Sequence, residues 1–405
     1  KVSDVVARFL AQHVKHVFCI SGGASLHLIH SIAKQEGLSY VCPQNEQAAS
    51  FQADAYARLS GMGCALTTSG PGATNLITGI ATSYYDSVPV LYITGQQTRD
   101  RLSGDSGCRQ IGFQETPITE IVRPITKYAV TVMRASDVWH ELWKAVRIAK
   151  HGRPGPVLID IPDDLQREVI PIPLSLNYVE EFQGPHPIER GHPETHCHKI
   201  ILHELLSAKR PLFIFGHSMR DPVAARMIME TLGIPCVATW GALDLMGNHP
   251  LCFGGFGTHG VRYANFAVQN ADYIVTVGTR LDTKATGSPA SAFAPKAKLV
   301  MVDIDQAELG KMERIGRPLH RAIHADSVDF LQKLEVEALV YAPKAAKHDS
   351  TWIEQLEAWR ADYPAVLPDY PSDSPYRFVE RLSAYIQPDD IIVSDTGCAL
   401  GWMMQ

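Results

Sequence analysis

Glu46 is the residue of this sequence whose type and position best suit proton chemistry. It stands in Pro43-Gln44-Asn45-Glu46-Gln47-Ala48-Ala49, after an apolar run and at the predicted start of a helix of small residues. The ordinary explanation is a helix-initiating acid beside an Asn45 N-cap, which the helix dipole stabilises by roughly 0.3–1 kcal/mol. The alternative is a binding role, because a carboxylate low in an apolar site binds a protonated ring nitrogen strongly.

Two glycine-rich stretches are further candidates for ligand binding. Ser69-Gly70-Pro71-Gly72 follows an apolar run and opens another small-residue helix, as an ordinary strand-to-helix connection also does. It is not a P-loop, since no Gly-Lys-Ser/Thr follows. Gly255-Phe256-Gly257-Thr258-His259-Gly260 matches GxGxxG by letter, but only residues 251–253 precede it as an apolar run. That run is too short for a convincing first dinucleotide-binding strand, and a flavin or nucleotide bound in another way stays open.

A cluster of possible zinc ligands comprises His192, His196, Cys197 and His198. No second pair of ligands lies at a useful spacing, so a solvated linker is favoured over a metal site. The sequence also has no GxSxG elbow, which leaves acyl-transfer hydrolysis without an anchor.

Composition limits the classes of function. The 405 residues carry a net charge of −6, with no basic run, which argues against nucleic acid as a partner. No apolar stretch reaches the roughly 18–20 residues of a membrane span, and the N-terminus lacks a signal-peptide pattern. The eight cysteines include no CxxC pair, so free thiols in a reducing cytoplasm are expected.

Short β-branched runs alternate with helical patterns, which predicts α/β domains with doubly wound parallel sheets. The clearest predicted strands are residues 17–20, 64–67, 90–93, 157–161, 212–216, 273–278 and 299–303. Shifts in composition predict an N-terminal domain, a linker, a central domain, a second linker and the start of a third domain, with bounds 1–168, 169–194, 195–342, 343–373 and 374–405. In the last segment, a helix at 378–386 and a strand at 391–395 are expected, and this third domain is expected to be incomplete.

Several motifs follow one another in order along the chain. They are Asn45-Glu46-Gln47-Ala48-Ala49, Thr68-Ser69-Gly70-Pro71-Gly72-Ala73-Thr74-Asn75, Phe113-Gln114-Glu115, Pro124-Ile125-Thr126-Lys127, Gly152-Arg153-Pro154-Gly155-Pro156, Asp160-Ile161-Pro162, Gly257-Thr258-His259-Gly260, Gly278-Thr279-Arg280-Leu281-Asp282 and Asp303-Ile304-Asp305. Together these motifs resemble the thiamine-diphosphate-dependent 2-oxo acid carboligases, and most closely the acetolactate (acetohydroxyacid) synthase large subunits, whose fold has three domains.

The resemblance implies a pyrimidine-binding domain, a central domain and a diphosphate-binding domain, and it assigns roles to residues of the first. Glu46 would bind N1′ of the thiamine aminopyrimidine and so promote removal of the thiazolium C2 proton. The cofactor would then decarboxylate pyruvate and pass a two-carbon unit to a second carbonyl. Phe113 and Gln114 would approach the reacting groups, while the cofactor pocket would be formed by Gly22, Gly23, Ala24, Pro71 and Asn75.

The central domain resembles the version that binds FAD in a structural role. Asp303 would suit a ribose hydroxyl and Arg280 a phosphate. The flavin candidates are Gly216, Gly257, His259, Gly260, Gly278, Arg280, Asp303 and Asp326.

The sequence departs from the synthase pattern at the first loop, which reads Ile20-Ser21-Gly22-Gly23-Ala24 instead of Tyr-Pro-Gly-Gly-Ala. Together with residues 108–115 and 127–132, this resembles relatives that transfer the same unit to a keto-sugar nucleotide, so the acceptor stays open. The family's Mg²⁺ motif, Gly-Asp-Gly with a distant Asn-Asn, belongs to the third domain and is not present. A non-catalytic flavin-binding fragment is therefore a third hypothesis. The resemblance also implies a homodimer or homotetramer with its active site between subunits.

Overall fold

The computed structural model describes residues 1–170, 197–219, 222–247, 249–341 and 350–404. Two compact units comprise residues 1–188 and 189–405. Nearly all of the linker predicted at 169–194 lies outside the described residues.

The first unit is a six-stranded sheet in the order β2-β1-β3-β4-β6-β5, and all of its strand pairs are parallel. Its strands are β1 His16–Cys19, β2 Ser39–Val41, β3 Gly63–Thr67, β4 Val90–Gln96, β5 Tyr128–Thr131 and β6 Val157–Pro162. Its helices are α1 Val2–Leu10, α2 Leu26–Lys34, α3 Glu46–Ser60, α4 Pro71–Thr74, α5 Ile77–Tyr85, α6 Ile118–Val122, α7 Val138–Lys150 and α8 Asp163–Arg167.

Helices cover both faces of this sheet, as a doubly wound fold requires. One core joins α1, α2 and α7 to the sheet, and the other joins α3, α5 and α6 to it. Small residues let α3 approach closely, since a Cβ on Gly63 would lie 2.1 Å from the Ala53 carbonyl oxygen. A Cβ on Gly79 would likewise lie 1.9 Å from Ser50 Oγ, so α5 also packs against α3 through a missing side chain.

The second unit has a six-stranded parallel sheet in the order β12-β11-β10-β7-β8-β9. Its strands are β7 Pro211–Phe215, β8 Cys236–Ala238, β9 Cys252–Gly255, β10 Tyr273–Val277, β11 Lys298–Asp303 and β12 Arg321–His324. Its helices are α9 Cys197–Ser207, α10 Pro222–Leu232, α11 Leu243–Met246, α12 Arg262–Asn270, α13 Thr283–Thr286, α14 Gln306–Arg314, α15 Ser327–Tyr341, α16 Thr351–Asp362, α17 Pro375–Ser383 and α18 Cys398–Met403. Two parallel α/β sheets confirm the predicted fold class.

The predicted linker at 343–373 needs correction, because it contains helix α16. Trp352 on this helix is buried, and its indole N–H donates a hydrogen bond of 3.1 Å to the carbonyl oxygen of Pro211. Leu356 is buried in the same core. The linker was predicted from the polar composition of the segment. That composition does not show that one face of α16 packs two large apolar side chains, Trp352 and Leu356, against the sheet.

The strand predicted at 391–395 is wrong, because these residues pair with no strand among those that the structure describes. Ile391 and Val393 are 91% and 89% exposed. A β-branched run forms a strand only where a neighbouring strand accepts its backbone hydrogen bonds. The helix that precedes it lies close to the predicted position, as α17.

Within the described ranges, no helix is both long enough and apolar enough to cross a membrane. All eight cysteines are present as free thiols.

We predict that Trp352→Ala will lower the free energy of unfolding of the second unit by about 3–5 kcal/mol, since a large buried side chain is lost. Trp352→Phe keeps most of the packing and loses the bond to Pro211, so its effect should be nearer 1 kcal/mol. Urea denaturation of the whole chain, followed by far-ultraviolet circular dichroism, measures both. A loss below 1 kcal/mol for the alanine variant would contradict the packing role of α16.

Candidate functional site

The carboxyl ends of four neighbouring strands meet at one edge of the first sheet. The loop after β2 leads to Glu46, and the loop after β1 contains residues 22–24. The loop after β3 contains residues 69–70 and opens α4, while Gln97 directly follows β4. Because ligands bind at this edge of open α/β sheets, the fold brings the pyrimidine-domain candidates to a plausible binding position.

Glu46 does not serve as the cap of its own helix. The side chain of Asn45 fills that role by accepting a hydrogen bond of 2.8 Å from the backbone N–H of Gln47. Asn75 Nδ2 donates a bond of 2.9 Å to Glu46 Oε2. No donor within the described residues reaches Oε1, and the Glu46 side chain is only partly buried. The arrangement therefore leaves one carboxylate oxygen available to a ligand.

Thr68 joins the loop after β1 to the loop after β3, although the sequence pointed to it only within a motif and gave it no role. A Cβ on Gly22 would lie 2.4 Å from Thr68 Cγ2, and a Cβ on Gly72 would lie 2.7 Å from the same atom. The backbone N–H of Ala24 donates to Thr68 Oγ1 over 3.2 Å. Gln166 Nε2 donates to the carbonyl oxygen of Ala24 over 2.7 Å. Gly22 is thus required by the close approach of two loops, and Gly72 by the tight turn of its own loop against Thr68.

Gln114 lies against the loop that follows β3. A Cβ on Gly70 would be 2.8 Å from both Cβ and the carbonyl oxygen of Gln114. Gly70 and Gln114 have φ angles of 62° and 59°, in the left-handed region that non-glycine residues rarely adopt. The neighbouring Phe113 side chain is 79% exposed. The structure therefore brings Gln114 to the predicted pocket and leaves the ring of Phe113 open to solvent.

Glu115 shapes the loop that carries Phe113 and Gln114. It accepts a bond of 2.9 Å from the backbone N–H of Ile111 and one of 2.6 Å from Ser103 Oγ. Burial raises the pKa of Glu115, but the hydrogen bonds from Ile111 and Ser103 outweigh that effect and hold its pKa below the usual range. The charged carboxylate is consequently the form that organises this loop.

Asp160 is a second buried carboxylate that the sequence did not single out as a site residue. Its oxygens accept bonds of 2.7 Å from Thr94 Oγ1, 3.0 Å from Thr131 Oγ1 and 3.1 Å from Gln96 Nε2. Burial raises its pKa to about 6, even though these side-chain bonds favour the charged form. Asp160 ties three parallel strands together beneath the edge that carries the site.

The flavin candidates of the second unit follow several strands at one edge of its sheet. Gly216 follows β7, Gly278 follows β10, Asp303 ends β11, and Asp326 lies just beyond β12. A Cβ on Gly216 would lie 2.2 Å from the Gly278 carbonyl oxygen, so the ends of β7 and β10 approach closely. Gly278 has a φ of 68°. The close approach of these strand ends and the positive φ of Gly278 therefore explain why both positions are glycine, without reference to a ligand.

The charged flavin candidates already make protein contacts. Asp303 accepts a bond of 2.8 Å from the Asp305 backbone N–H. Asp326 caps α15 by accepting from the N–H groups of two of its residues. Arg280 is 3.9 Å from Asp282, a long ion pair that leaves its guanidinium free to bind elsewhere.

The remaining flavin candidates lie in the stretch that matched GxGxxG. It follows β9, which is the outermost strand of the sheet rather than a central one. Gly257 has a φ of 99°, and a Cβ there would lie 2.5 Å from the Lys284 carbonyl oxygen. A Cβ on Gly260 would lie 2.5 Å from the Gly255 carbonyl oxygen, and the ring of His259 lies 5.2 Å from that of Trp240. This turn is closely packed against its own backbone and against Lys284 of α13.

The predicted solvated linker is wrong for Cys197 and His198, which begin α9. Both are buried, and Cys197 Sγ is 3.5 Å from His198 Nδ1. The other two candidate ligands, His192 and His196, lie outside the described residues. Among the residues that are described, no three His, Cys, Asp or Glu side chains form a group that could hold a metal ion.

Comparison with known proteins gives two family matches, one in each unit. Residues 1–121 match the thiamine pyrophosphate enzyme, N-terminal TPP binding domain, and residues 199–334 match the thiamine pyrophosphate enzyme, central domain. The first match covers strands β1–β4 of the first sheet, and the second match covers all six strands of the second sheet.

Several named relatives match nearly the whole chain. Acetolactate synthase 1, chloroplastic, of Oryza sativa subsp. japonica is 32% identical, over 100% of this chain and 62% of its own length. Acetolactate synthase 2, chloroplastic, of Nicotiana tabacum is 33% identical, over 100% of this chain and 60% of its own length. The acetolactate synthase large subunit of Parasynechococcus marenigrum (strain WH8102) is 36% identical, over 97% of this chain and 62% of its own length. The chain thus spans about three fifths of the length of these curated relatives.

We predict that Asp160 makes stability fall as pH rises from about 4 to about 7. Its pKa is about 6 in the folded protein against 3.8 ordinarily, so the folded state binds more protons between these values. The contribution is complete below pH 3.8 and is lost as pH rises through 6, with a maximum of roughly 3 kcal/mol.

Urea denaturation across this pH range, with Asp160→Asn compared to the natural protein, tests this prediction. The difference in unfolding free energy between the two should change with pH, whereas Asp105→Asn, in an exposed position, should leave the curve unchanged. Parallel curves for the natural protein and Asp160→Asn would rule the prediction out.

Proposed function

This chain belongs to the thiamine pyrophosphate enzyme family, and we propose that it is a transferase of the acetolactate synthase type. In this proposal it decarboxylates pyruvate and transfers the resulting two-carbon unit to a second carbonyl, forming acetolactate when that carbonyl is a second pyruvate. The observation that carries the proposal is the Glu46 carboxylate, fixed by Asn75 through one oxygen and open at the other.

The residues around Glu46 fit an aminopyrimidine ring. Gly72 has no side chain, and a Cβ there would lie 3.7 Å from Glu46 Oε1, so the glycine keeps the free oxygen uncovered. Pro71 is the first residue of the short helix α4, and Asn75 directly follows its last residue. This single turn of helix places the Asn75 side chain next to the Glu46 carboxylate. The donor to Oε2 and the open space at Oε1 together form a site for one protonated ring nitrogen.

Thiamine diphosphate, when bound, supplies an acidic carbon that adds to the keto group of a 2-oxo acid and takes up the electron pair left by CO₂. Glu46 would hold the proton shared with ring nitrogen N1′. Asn75 would keep the carboxylate turned toward that nitrogen. Gly22, Gly23 and Ala24 would line the side where the substrate reacts. Gln114 would donate a hydrogen bond to a substrate oxygen, and Phe113 would shield the reacting groups from water.

The proposal also includes Mg²⁺, FAD and a second subunit. Mg²⁺ would hold the cofactor's diphosphate through ligands outside the described residues. FAD would bind at the edge formed by β7, β10, β11 and β12, with Arg280 on a phosphate and Asp303 on a ribose hydroxyl. A homodimer or homotetramer would complete the active site, because Glu46 and Phe113 both face solvent in part.

A second acceptor, a keto-sugar nucleotide, is favoured by two cations near the candidate site. Arg101 and Arg109 lie in the loop organised by Glu115, and the Arg101 carbonyl oxygen accepts a bond of 2.9 Å from the Gly112 N–H. Within the described residues neither guanidinium has a carboxylate in ion-pair distance, and both are exposed. An exposed arginine that has no carboxylate partner can bind the diphosphate of a nucleotide sugar.

Glu46→Gln is expected to abolish exchange of the cofactor's C2 proton for deuterium, because a neutral amide no longer favours the protonated ring. The measurement is proton nuclear magnetic resonance after acid quench, using protein expressed from its complete gene with thiamine diphosphate and Mg²⁺. Folding should be unchanged, since Asn45 caps α3. Glu36→Gln, an exposed position in the same unit, is the matched control. If Glu46→Gln exchanged the C2 proton as fast as the natural protein does, the proposed role of Glu46 would be wrong.

Product analysis should separate the two acceptors. With pyruvate alone, the proposed enzyme forms acetolactate at a rate that Arg101→Ala and Arg109→Ala change by less than about threefold, because pyruvate carries no diphosphate. If pyruvate is consumed only when a keto-sugar nucleotide is added, the second acceptor is correct. In that case both arginine variants should raise the KM for the nucleotide sugar.

A further inference from the structure

Two thiols lie close together where the first two strands of the sheet end. Cys19 Sγ and Cys42 Sγ are 4.0 Å apart. The parallel register pairs Phe18 with Val41, and one step further along both chains places Cys42 opposite Cys19. Neighbouring strands are about 4.8 Å apart, and disulfides join residues whose Cα atoms are about 4.4–6.8 Å apart. The spacing of neighbouring strands therefore lies within the range of disulfide-bonded residues, but the sulfur atoms must still approach by a shift of the chain around one of the two cysteines.

We propose that Cys19 and Cys42 form a reversible disulfide by exchange with a small-molecule disulfide, such as oxidised glutathione, and that this bond displaces Glu46. The effect on Glu46 rests on the function proposed above, whereas the disulfide itself does not.

The exposure of the two thiols fixes the order of the reaction. Cys42 is exposed and Cys19 is buried. Burial, together with the neighbouring Cys42, raises the pKa of Cys19 to about 12, so Cys19 is the poorer first nucleophile. The Cys42 thiolate attacks glutathione disulfide, forming a mixed disulfide and releasing one glutathione. Cys19, on losing its proton to solvent, attacks Cys42 Sγ and releases the second glutathione. The protein loses two electrons and two protons, and both electrons reduce the glutathione disulfide.

The position of the pair connects it to the candidate site. Cys42 lies four residues before Glu46, and Cys19 lies three residues before Gly22. Closing the sulfur separation from 4.0 Å to about 2.05 Å requires movement. Cys19 is held in the core of the sheet, whereas Cys42 follows the short edge strand β2, whose residues are all exposed. The movement therefore falls on residues 42–45 and reaches the N-terminus of α3.

The first test maps the disulfide without any cofactor. Purified, reduced protein is incubated with glutathione mixtures of increasing oxidised fraction, alkylated and digested, and its peptides are identified by mass spectrometry. A linked Cys19–Cys42 peptide that dithiothreitol reverses supports the proposal. In Cys19→Ala the reaction should stop at the mixed disulfide between Cys42 and glutathione. Cys42→Ser should give neither this mixed disulfide nor the linked peptide. Cys108→Ser, which removes another exposed thiol, should leave the linked peptide unchanged. Glutathione retained on Cys42 in the natural protein, without the link, overturns it.

The second test measures displacement of Glu46. In the oxidised protein, the backbone amide of Gln47 should exchange with deuterium faster, because its bond to Asn45 depends on the loop that moves. Exchange of the cofactor's C2 proton should slow at least about tenfold, and Cys42→Ser should show neither change under the same conditions. A linked protein with unaltered amide and C2 exchange would overturn the effect on Glu46. Absent C2 exchange in the reduced protein would instead count against the proposed function, leaving the mapped disulfide to be judged by the first test.

Discussion

The close contact between α3 and the first sheet is the constraint on which the candidate site depends. Gly63 on β3 has no side chain, and the backbone of α3 at Ala53 occupies the space where one would lie. Ala49 and Ala57 continue this narrow face and are fully or almost fully buried. A larger side chain at any of these positions would push the helix away from the sheet. Because Glu46 is the first residue of α3, the packing of small residues along the helix sets the position of its carboxylate.

The sequence predicted the parts of the molecule that depend on local pattern. Strands in both sheets, the cap at Asn45 and the position of Glu46 at a sheet edge follow from β-branched runs, turn residues and helix start signals. It pointed to Thr68 and Asp160 only within motifs and assigned them no role, because their importance arises from contacts between loops or strands that are far apart in sequence. Residues 391–395 show the opposite error, since their pattern is that of a strand while the described residues offer it no partner.

Two buried carboxylates in the first unit, Glu115 and Asp160, have pKa values shifted in opposite directions. Backbone and hydroxyl donors surround Glu115, and they outweigh burial, so its charged form is favoured. Asp160 is completely buried and receives only side-chain donors, and for it burial outweighs hydrogen bonding. The loop bearing Gln114 is therefore organised by a fixed charge, whereas the strands below it are joined by a group that gains and loses a proton near pH 6. The deeper burial of Asp160, together with its lack of backbone donors, separates the two cases.

The edge position of β2 explains why the region around Glu46 is accessible both to a ligand and to a small-molecule disulfide. In the proposed enzyme the Glu46 carboxylate meets both a ligand and a second subunit, so it has to lie where the sheet is not covered. The strand that leads to it is accordingly short, with three residues that are all exposed, and short edge strands also resist pairing with other chains. The same exposure leaves the Cys42 thiol in solvent while its neighbour Cys19 is held in the core. Accessibility of the carboxylate and exposure of the Cys42 thiol thus have one structural cause, which is the uncovered end of β2.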